Sequence, residues 1–406
     1  MSSSLALRHA RYLSTAAGAS ASSSSSAMSM SKAISKLKSE FDPDKALEIY
    51  SSVSDEISSP VMSRLAQELA VKRLARSRRF ADIETILESR KKDPKITEEN
   101  YLSSLIRSYG IAGMLDHALK TYEQMDELGT PKTTISFNVL LSACNQSQRC
   151  VLVQKLFDEI PQRNGISPDN ISYNILVKSY CESGSPEMAI AKLREMERKK
   201  VEVSLITYTT ILAALYKQGD ISEAKKVWNE MVEKGFSPDV AAYNVKLMHA
   251  QNGEPEKVQR LIDEMIKAGL RPDSISYNYL ITSYCKRGMM DEAEKVYRGL
   301  AQNKCKPNAA TYRTLIYHMC KNGDFEKGFE LFKKSVKDEK IPNFHTLRNL
   351  VQGLVKNSKR EEAEEVCGIV RNKKFPPSAF SVWAKVEKEL GLSGDPSGGS
   401  GAKTVG

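Results

Sequence analysis

The chain has 406 residues, 41% of them hydrophobic, with 60 Lys and Arg against 50 Asp and Glu, a formal net charge of +10 and a pI of about 9.0. No apolar run approaches the ~18 residues that would suggest a membrane span, and the basic balance favours a polyanionic partner. Seven cysteines without a C-x-x-C pair read as small packing residues in a reducing compartment. The five histidines do not supply the close Cys/His spacing of a zinc site, so neither a metal nor another cofactor is expected.

Residues 1–39 contain no Asp or Glu, the first acid being Glu40, and carry Arg8, Arg11, Lys32, Lys36 and Lys38 in a Ser- and Ala-rich setting. This is the composition of an organellar transit peptide, and residues 1–30 are assigned to it and to a disordered Ser-rich leader. The run Arg11-Tyr12-Leu13-Ser14-Thr15 resembles a mitochondrial processing site, with cleavage expected after Leu13. The address expected is the mitochondrion, with the chloroplast as the alternative.

Further along, aromatic residues followed by a polar residue recur: Phe137-Asn138, Tyr173-Asn174, Tyr208-Thr209, Tyr243-Asn244, Tyr277-Asn278 and Tyr312-Arg313, at steps of 36, 35, 35, 34 and 35 residues. A fixed period of this size marks a stacked solenoid. In the unit 170–204, Ile171, Asn174, Val177 and Cys181 lie near one helical face, and Tyr173, Leu176 and Tyr180 on an adjoining one. Gly184 ends that helix. Ser185 as a cap, Pro186 and Glu187 open a second helix, with Ala189 allowing close approach. The unit is therefore an all-α helical hairpin. Gly219, Gly288 and Gly323 repeat the stop, and Ala118, Ala224, Ala293 and Ala363 the small place. Pro168, Pro238, Pro272, Pro307, Pro342 and Pro377 are expected to close the units. Cys181, Cys285 and Cys320 share one place on the apolar face of the first helix.

Counting outward places degenerate repeats at 31–98, divided near Ser63, and the repeat array at 99–378. Its units are 99–133, 134–169, 170–204, 205–239, 240–273, 274–308, 309–343 and 344–378. Residues 379–391 are read as a capping helix carrying Trp383, and 392–406 as a disordered Gly/Ser tail. The unit 240–273 is one residue short around Val245 to Asn252, and 134–169 has one extra before Gly165, so local distortion of the stacking is expected.

The strings SYNYLITSYCKRGMMDEAEKVYRGL and TYTTILAALYKQGDISEAKKVWNEMVEKGFSPD resemble plant pentatricopeptide repeats of the plain 35-residue type, the P class. The resemblance implies a right-handed superhelical solenoid of stacked helix-turn-helix repeats that binds single-stranded RNA, one base per repeat. In that family the fifth and last residues of each repeat face the base edge, and the second residue sandwiches the base. Carried over residue by residue, Asn138 with Asp169 resembles a uracil reader, Asn174 with Ser204 a cytosine reader and Thr209 with Asp239 a guanine reader. Asn244 with Asp273 again suggests uracil, and Asn278 with Asn308 a pyrimidine. The implied target is 5′-U-C-G-U-Y, with Ile135, Ile171, Ile206 and Ile275 as stacking surfaces. Ser103 with Thr133 is a further pair in doubtful register. The asparagines also fit another role, polar residues at a helix N-terminus that satisfy backbone donors.

The last two repeats depart from the pattern: Arg313 pairs with Asn343, and Arg348 with Ser378. The segment 301–380 holds 16 basic and 9 acidic residues, so these arginines are expected to grip the RNA backbone. No catalytic motif of the deaminase, phosphate-loop or zinc-protease kind is present, and no enzymatic activity or small-molecule substrate is expected. Three readings stay open: an RNA-binding protein acting in organellar RNA metabolism or translation on mRNA, a structural component of the mitochondrial ribosome small subunit holding rRNA among ribosomal proteins, and a tetratricopeptide-like peptide scaffold.

Overall fold

In a computed structural model the described residues are 28–53, 60–372 and 377–392, with the side chains of 372–381 outside the description. The leader, the cleavage site after Leu13, most of the tail and the Ser378 side chain therefore lie outside the described residues. Among the described residues there are 21 helices and no strand, stacked as a right-handed superhelical solenoid. No described helix is long and apolar enough to cross a membrane.

Four helices precede the regular array: α1 (Met30–Ser39), α2 (Pro43–Ser51), α3 (Pro60–Arg76) and α4 (Phe80–Arg90), followed by a short 3-10 turn at Pro94–Thr97. The boundary expected near Ser63 falls inside α3, because Pro60 opens that helix and its apolar residues Ala66, Ala70, Val71 and Leu74 are all buried. The array then runs in pairs. They are α5 (Glu99–Ala112) with α6 (Leu115–Glu123), α7 (Thr134–Gln146) with α8 (Cys150–Asn164), and α9 (Asn170–Glu182) with α10 (Pro186–Arg198). Next come α11 (Leu205–Gln218) with α12 (Ile221–Glu233), and α13 (Val240–Ala250) with α14 (Pro255–Lys267). The last pairs are α15 (Ser274–Lys286) with α16 (Met290–Gly299), α17 (Ala309–Lys321) with α18 (Phe325–Lys337), and α19 (Phe344–Lys356) with α20 (Arg360–Asn372).

The landmark residues hold this stack together. Phe137, Tyr173, Tyr208 and Tyr312 are fully buried, and the small residues Ala118, Ala189, Ala224, Ala293 and Ala363 sit at helix crossings with no exposed surface. A buried tyrosine needs a partner for its hydroxyl. Tyr173 donates to Glu195 at 2.9 Å and Tyr208 to Glu230 at 3.4 Å, tying each first helix to the end of its own second helix. Gly219 sits at φ +84°, the left-handed geometry that ends a helix and that a side chain would strain. Ser185 occupies the cap position of α10, but its side chain makes no capping bond, and Pro186 opens the helix instead. Burial pushes the Cys181, Cys285 and Cys320 thiols up to about 12, as inert packing residues require.

The two irregular units absorb their length differences inside the helices. The short unit has a first helix of 11 residues against 13 in its neighbour α15. There Tyr243 is only half-buried, and Lys246 reaches over the Trp228 ring at 3.4 Å from its centroid. The extra residue of 134–169 lengthens α8 to 15 residues with Pro161 inside it. The final helix α21 (Pro377–Glu389) starts ahead of the expected Ala379. Pro377 therefore opens a helix, whereas Pro168, Pro238, Pro272, Pro307 and Pro342 lie in extended links. A first-turn proline loses no hydrogen bond, which makes the same residue type either a stop or a start. Trp383 of α21 is buried against Phe344, and its indole N–H donates to Glu387 at 2.9 Å.

Candidate nucleic-acid interface

The last residue of a repeat serves as the N-cap of the next repeat's first helix, which starts beside the fifth residue of the preceding first helix. Asp169, Ser204, Asp239, Asp273 and Asn308 occupy the cap positions of α9, α11, α13, α15 and α17. A side-chain oxygen at that place accepts from the exposed N–H groups of the first turn. Asp273 does so from Ile275 and Ser276, both at 2.9 Å, and Asn308 from Ala310 at 2.9 Å and Thr311 at 3.1 Å. This anchors one half of each expected base-reading pair to a rigid helix end.

The other half comes from the preceding first helix. Asn138 donates its Nδ2 to Asp169 at 3.1 Å, Asn244 to Asp273 at 3.3 Å and Asn278 to Asn308 at 3.1 Å. These asparagines sit within helices rather than at their caps, so backbone capping is the role of the last residues and not of the asparagines. Burial pushes the Asp169 carboxyl up, but the Ser172 backbone N–H, the Asn138 amide and the Ser172 hydroxyl outweigh it and hold it below the usual carboxylate range. The group is a permanent acceptor near neutral pH.

Two pairs behave differently. Asn174 makes no bond to Ser204, whose short side chain instead lies 3.2 Å from the Thr207 hydroxyl. Thr209 donates to its own helix at Leu205, 2.8 Å away, while Asp239 accepts from the Ala242 N–H. The doubtful pair Ser103 and Thr133 is not brought together. Ser103 is buried, its hydroxyl without a partner among the described residues, and Thr133 is bound through its N–H and its hydroxyl to Glu99, each at 2.8 Å. Glu99 also accepts from the Ser136 N–H at 3.1 Å, so a carboxylate from the previous unit caps α7.

The second-position isoleucines stand out from an apolar-in, polar-out chain. Ile135 is 47% exposed, Ile171 55%, Ile206 68% and Ile275 47%. Each begins a first helix one turn from the reading pair. Ala241, between Ile206 and Ile275, and Ala310 take that place in two other units and His345 in the last, so the larger apolar side chains are interrupted from the middle of the array onward.

The two arginines are not equivalent. Arg313 is exposed. Arg348 is half-buried, its guanidinium 3.9 Å from Glu389 of α21 and its Nε buried without a partner among the described residues. The two arginines, for which a shared backbone-gripping role is expected, thus differ in their surroundings. The capping helix lies against Arg348, a contact no repeat pattern reveals because α21 is outside the period.

Repeat-family models match along this array. The model described as "PPR repeat family" matches residues 168–217, 203–249 and 272–321, and "PPR repeat" matches 102–130, 248–270 and 310–339. The chain is 57% identical to the small ribosomal subunit protein mL103 (rPPR7) of Arabidopsis thaliana, over 96% of this chain and 95% of that one. It is 54% identical to a mitochondrial pentatricopeptide repeat-containing protein of the same plant, over 96% and 93%. Among solved structures, it is similar to PPR10 in complex with an 18-nt psaJ RNA element at a TM-score of 0.46 and 18% identity, covering 89% of this chain and 61% of that one. With more than half of the residues identical to the two Arabidopsis thaliana relatives over nearly the whole of each chain, the chain belongs to the pentatricopeptide repeat family.

Proposed function

We propose that this chain is a mitochondrial single-stranded RNA-binding protein that takes one base per repeat and acts by holding RNA rather than by catalysis. The observation that carries the reading is the repeated pairing of a fifth-position amide with the helix cap of the next unit, at Asn138–Asp169, Asn244–Asp273 and Asn278–Asn308. An amide beside a fixed acceptor presents a base edge with a defined donor and acceptor set, and the exposed isoleucines flank it with apolar surface. Asn174–Ser204 and Thr209–Asp239 complete a run of five readers. The expected target is 5′-U-C-G-U-Y. Binding of that pentamer embedded in oligo-A tests the reading, and equal affinity for the scrambled pentamer would sink it.

A second reading is favoured by one observation, the likeness to a small ribosomal subunit protein along nearly the whole chain. Five readable bases select a unique transcript poorly, whereas a structural rRNA segment needs only to be held. Sedimentation of mitochondrial lysate separates the two. Co-migration with the small ribosomal subunit supports the ribosomal role, and a light RNase-sensitive peak supports a transcript factor.

A further inference from the structure

An asparagine amide turned by 180° exchanges its donor and acceptor, so a base-reading asparagine is useful only if something fixes its orientation. Here a hydroxyl from the third position of the following repeat does so. Ser172 donates to Asn138 Oδ1 at 2.6 Å, Thr207 to Asn174 at 2.6 Å, Ser276 to Asn244 at 2.7 Å and Thr311 to Asn278 at 2.6 Å. Each hydroxyl also accepts the N–H of its own helix cap: Asp169, Ser204, Asp273 and Asn308, at 3.2, 3.4, 3.2 and 3.0 Å. One of its two lone pairs is thereby engaged, and its one proton is left for an acceptor. The cap oxygens compete for that proton, but they lie farther away, at 2.9, 3.1 and 3.3 Å in the Ser172, Ser276 and Thr311 units, and already accept backbone N–H groups.

The bridge forms only where an asparagine precedes it. Thr346 follows Arg313 and donates instead to Asn343 at 2.9 Å. Ser136 follows Ser103 and donates to the Thr133 carbonyl at 3.2 Å. Ala242 follows Thr209 and has no hydroxyl to give. We propose that Ser172, Thr207, Ser276 and Thr311 are specificity-positioning residues that hold the reading asparagines with Oδ1 inward and the NH2 group available to the base.

This deepens the RNA-reading proposal and rests on it. In the uracil-type units the lock is double, because Asp169 and Asp273 also hold the amide through its Nδ2. At Asn174 it is single, since Ser204 makes no bond to the amide, and Thr207 alone sets its orientation. With Oδ1 turned inward, Asn174 offers donors. Cytosine presents an acceptor at N3 where uracil presents a donor, so the hydroxyl decides between two bases it never touches.

The test compares binding of oligo-A-embedded UCGUC and UUGUC to the wild-type protein and to Thr207→Val, which keeps the branched shape and removes the hydroxyl. The expected result is about a fivefold loss of the cytosine-over-uracil ratio, the worth of one neutral hydrogen bond, with the ratio kept in Thr207→Ser. A purely structural role would weaken both RNAs alike. Wild-type discrimination that persists undiminished in Thr207→Val overturns the inference alone. A wild-type protein that does not discriminate overturns the base-reading proposal and the inference with it. Should Thr207→Val not fold, Thr207→Ala, at the same singly locked site and with the residue type that Ala242 places there in the next repeat, decides by the cytosine-over-uracil ratio at the second base. A reduced ratio supports the inference there, and an unchanged ratio overturns it.

Discussion

Asp273→Asn separates the two tasks of a last-position residue, capping a helix and facing a base. Asp273 accepts from two backbone N–H groups of α15 and from the Asn244 amide. Asn308 makes the same set of contacts with the same atom type in the next repeat, accepting from Ala310, Thr311 and the Asn278 amide. Asparagine and aspartate are also equivalent as N-caps. The substitution should therefore change stability by less than about 0.5 kcal/mol, where Asp273→Ala would cost about 1 kcal/mol. What changes is the second carboxylate oxygen, which under the proposed base reading is the group that accepts the N3–H of uracil in a charge-assisted bond. Its loss is worth about 1.5 kcal/mol, or roughly tenfold in affinity for uracil at the fourth base. Fluorescence anisotropy with fourth-base uracil and cytosine RNAs, alongside a thermal melt, reads both quantities. An unchanged uracil preference, or a loss of stability as large as that of Asp273→Ala, would refute the reasoning.

Other perturbations act on separate parts of the molecule. Ile206→Ala removes a side chain 68% exposed, so stability should hold while affinity for matched and scrambled RNAs falls by a similar few-fold, measured by titration. Arg313→Ala should weaken binding to every sequence alike and reduce the slope of log affinity against log salt by about 0.7. Gly110→Ala would put a Cβ 2.6 Å from the Ala143 Cβ and 2.9 Å from its Cα, forcing α5 from α7. Overpacking of this kind costs about 1–3 kcal/mol and should appear as a lowered melting temperature. At the second-helix edge, Glu230 is bound by Arg194 and Lys234, and these contacts hold its carboxyl at about 2 against an ordinary 4.5. Its stabilisation is present above pH 4.5 and is lost as pH falls towards 2, about 1–2 kcal/mol after solvent screening. Glu230→Gln should melt lower than the wild type at pH 7, with the gap narrowing below pH 4.5 and closing only as the pH falls through about 2.

The period, the hairpins and the buried aromatics were legible because each repeat restates the same packing problem, with Tyr173, Ala189 and Gly219 in fixed places. The pairing of fifth with last residues came from the family resemblance and not from spacing; the side chains bond at Asn138–Asp169, Asn244–Asp273 and Asn278–Asn308, whereas Ser204 and Thr209 take other partners. The hydroxyl bridge was half-visible. Asp169-x-x-Ser172 and Asp273-x-x-Ser276 have capping-box spacing, which sequence reading assigns to the helix end rather than to the neighbouring asparagine. Contacts made by unique residues were hidden. Glu99 caps α7 from another unit, and Glu389 faces Arg348 from a helix outside the period. Pro377 was misassigned because proline closes a link and opens a helix with equal ease.

The central claim is that the paired positions along this solenoid read a short RNA in register. Selection of the purified protein's ligands from a randomised single-stranded RNA pool tests it most directly. The account predicts enrichment of U-C-G-U followed by a pyrimidine, with the strongest preferences at the bases facing Asn138–Asp169 and Asn244–Asp273. Recovery of RNAs that share only length or charge, or of a motif unrelated to that order, would contradict it.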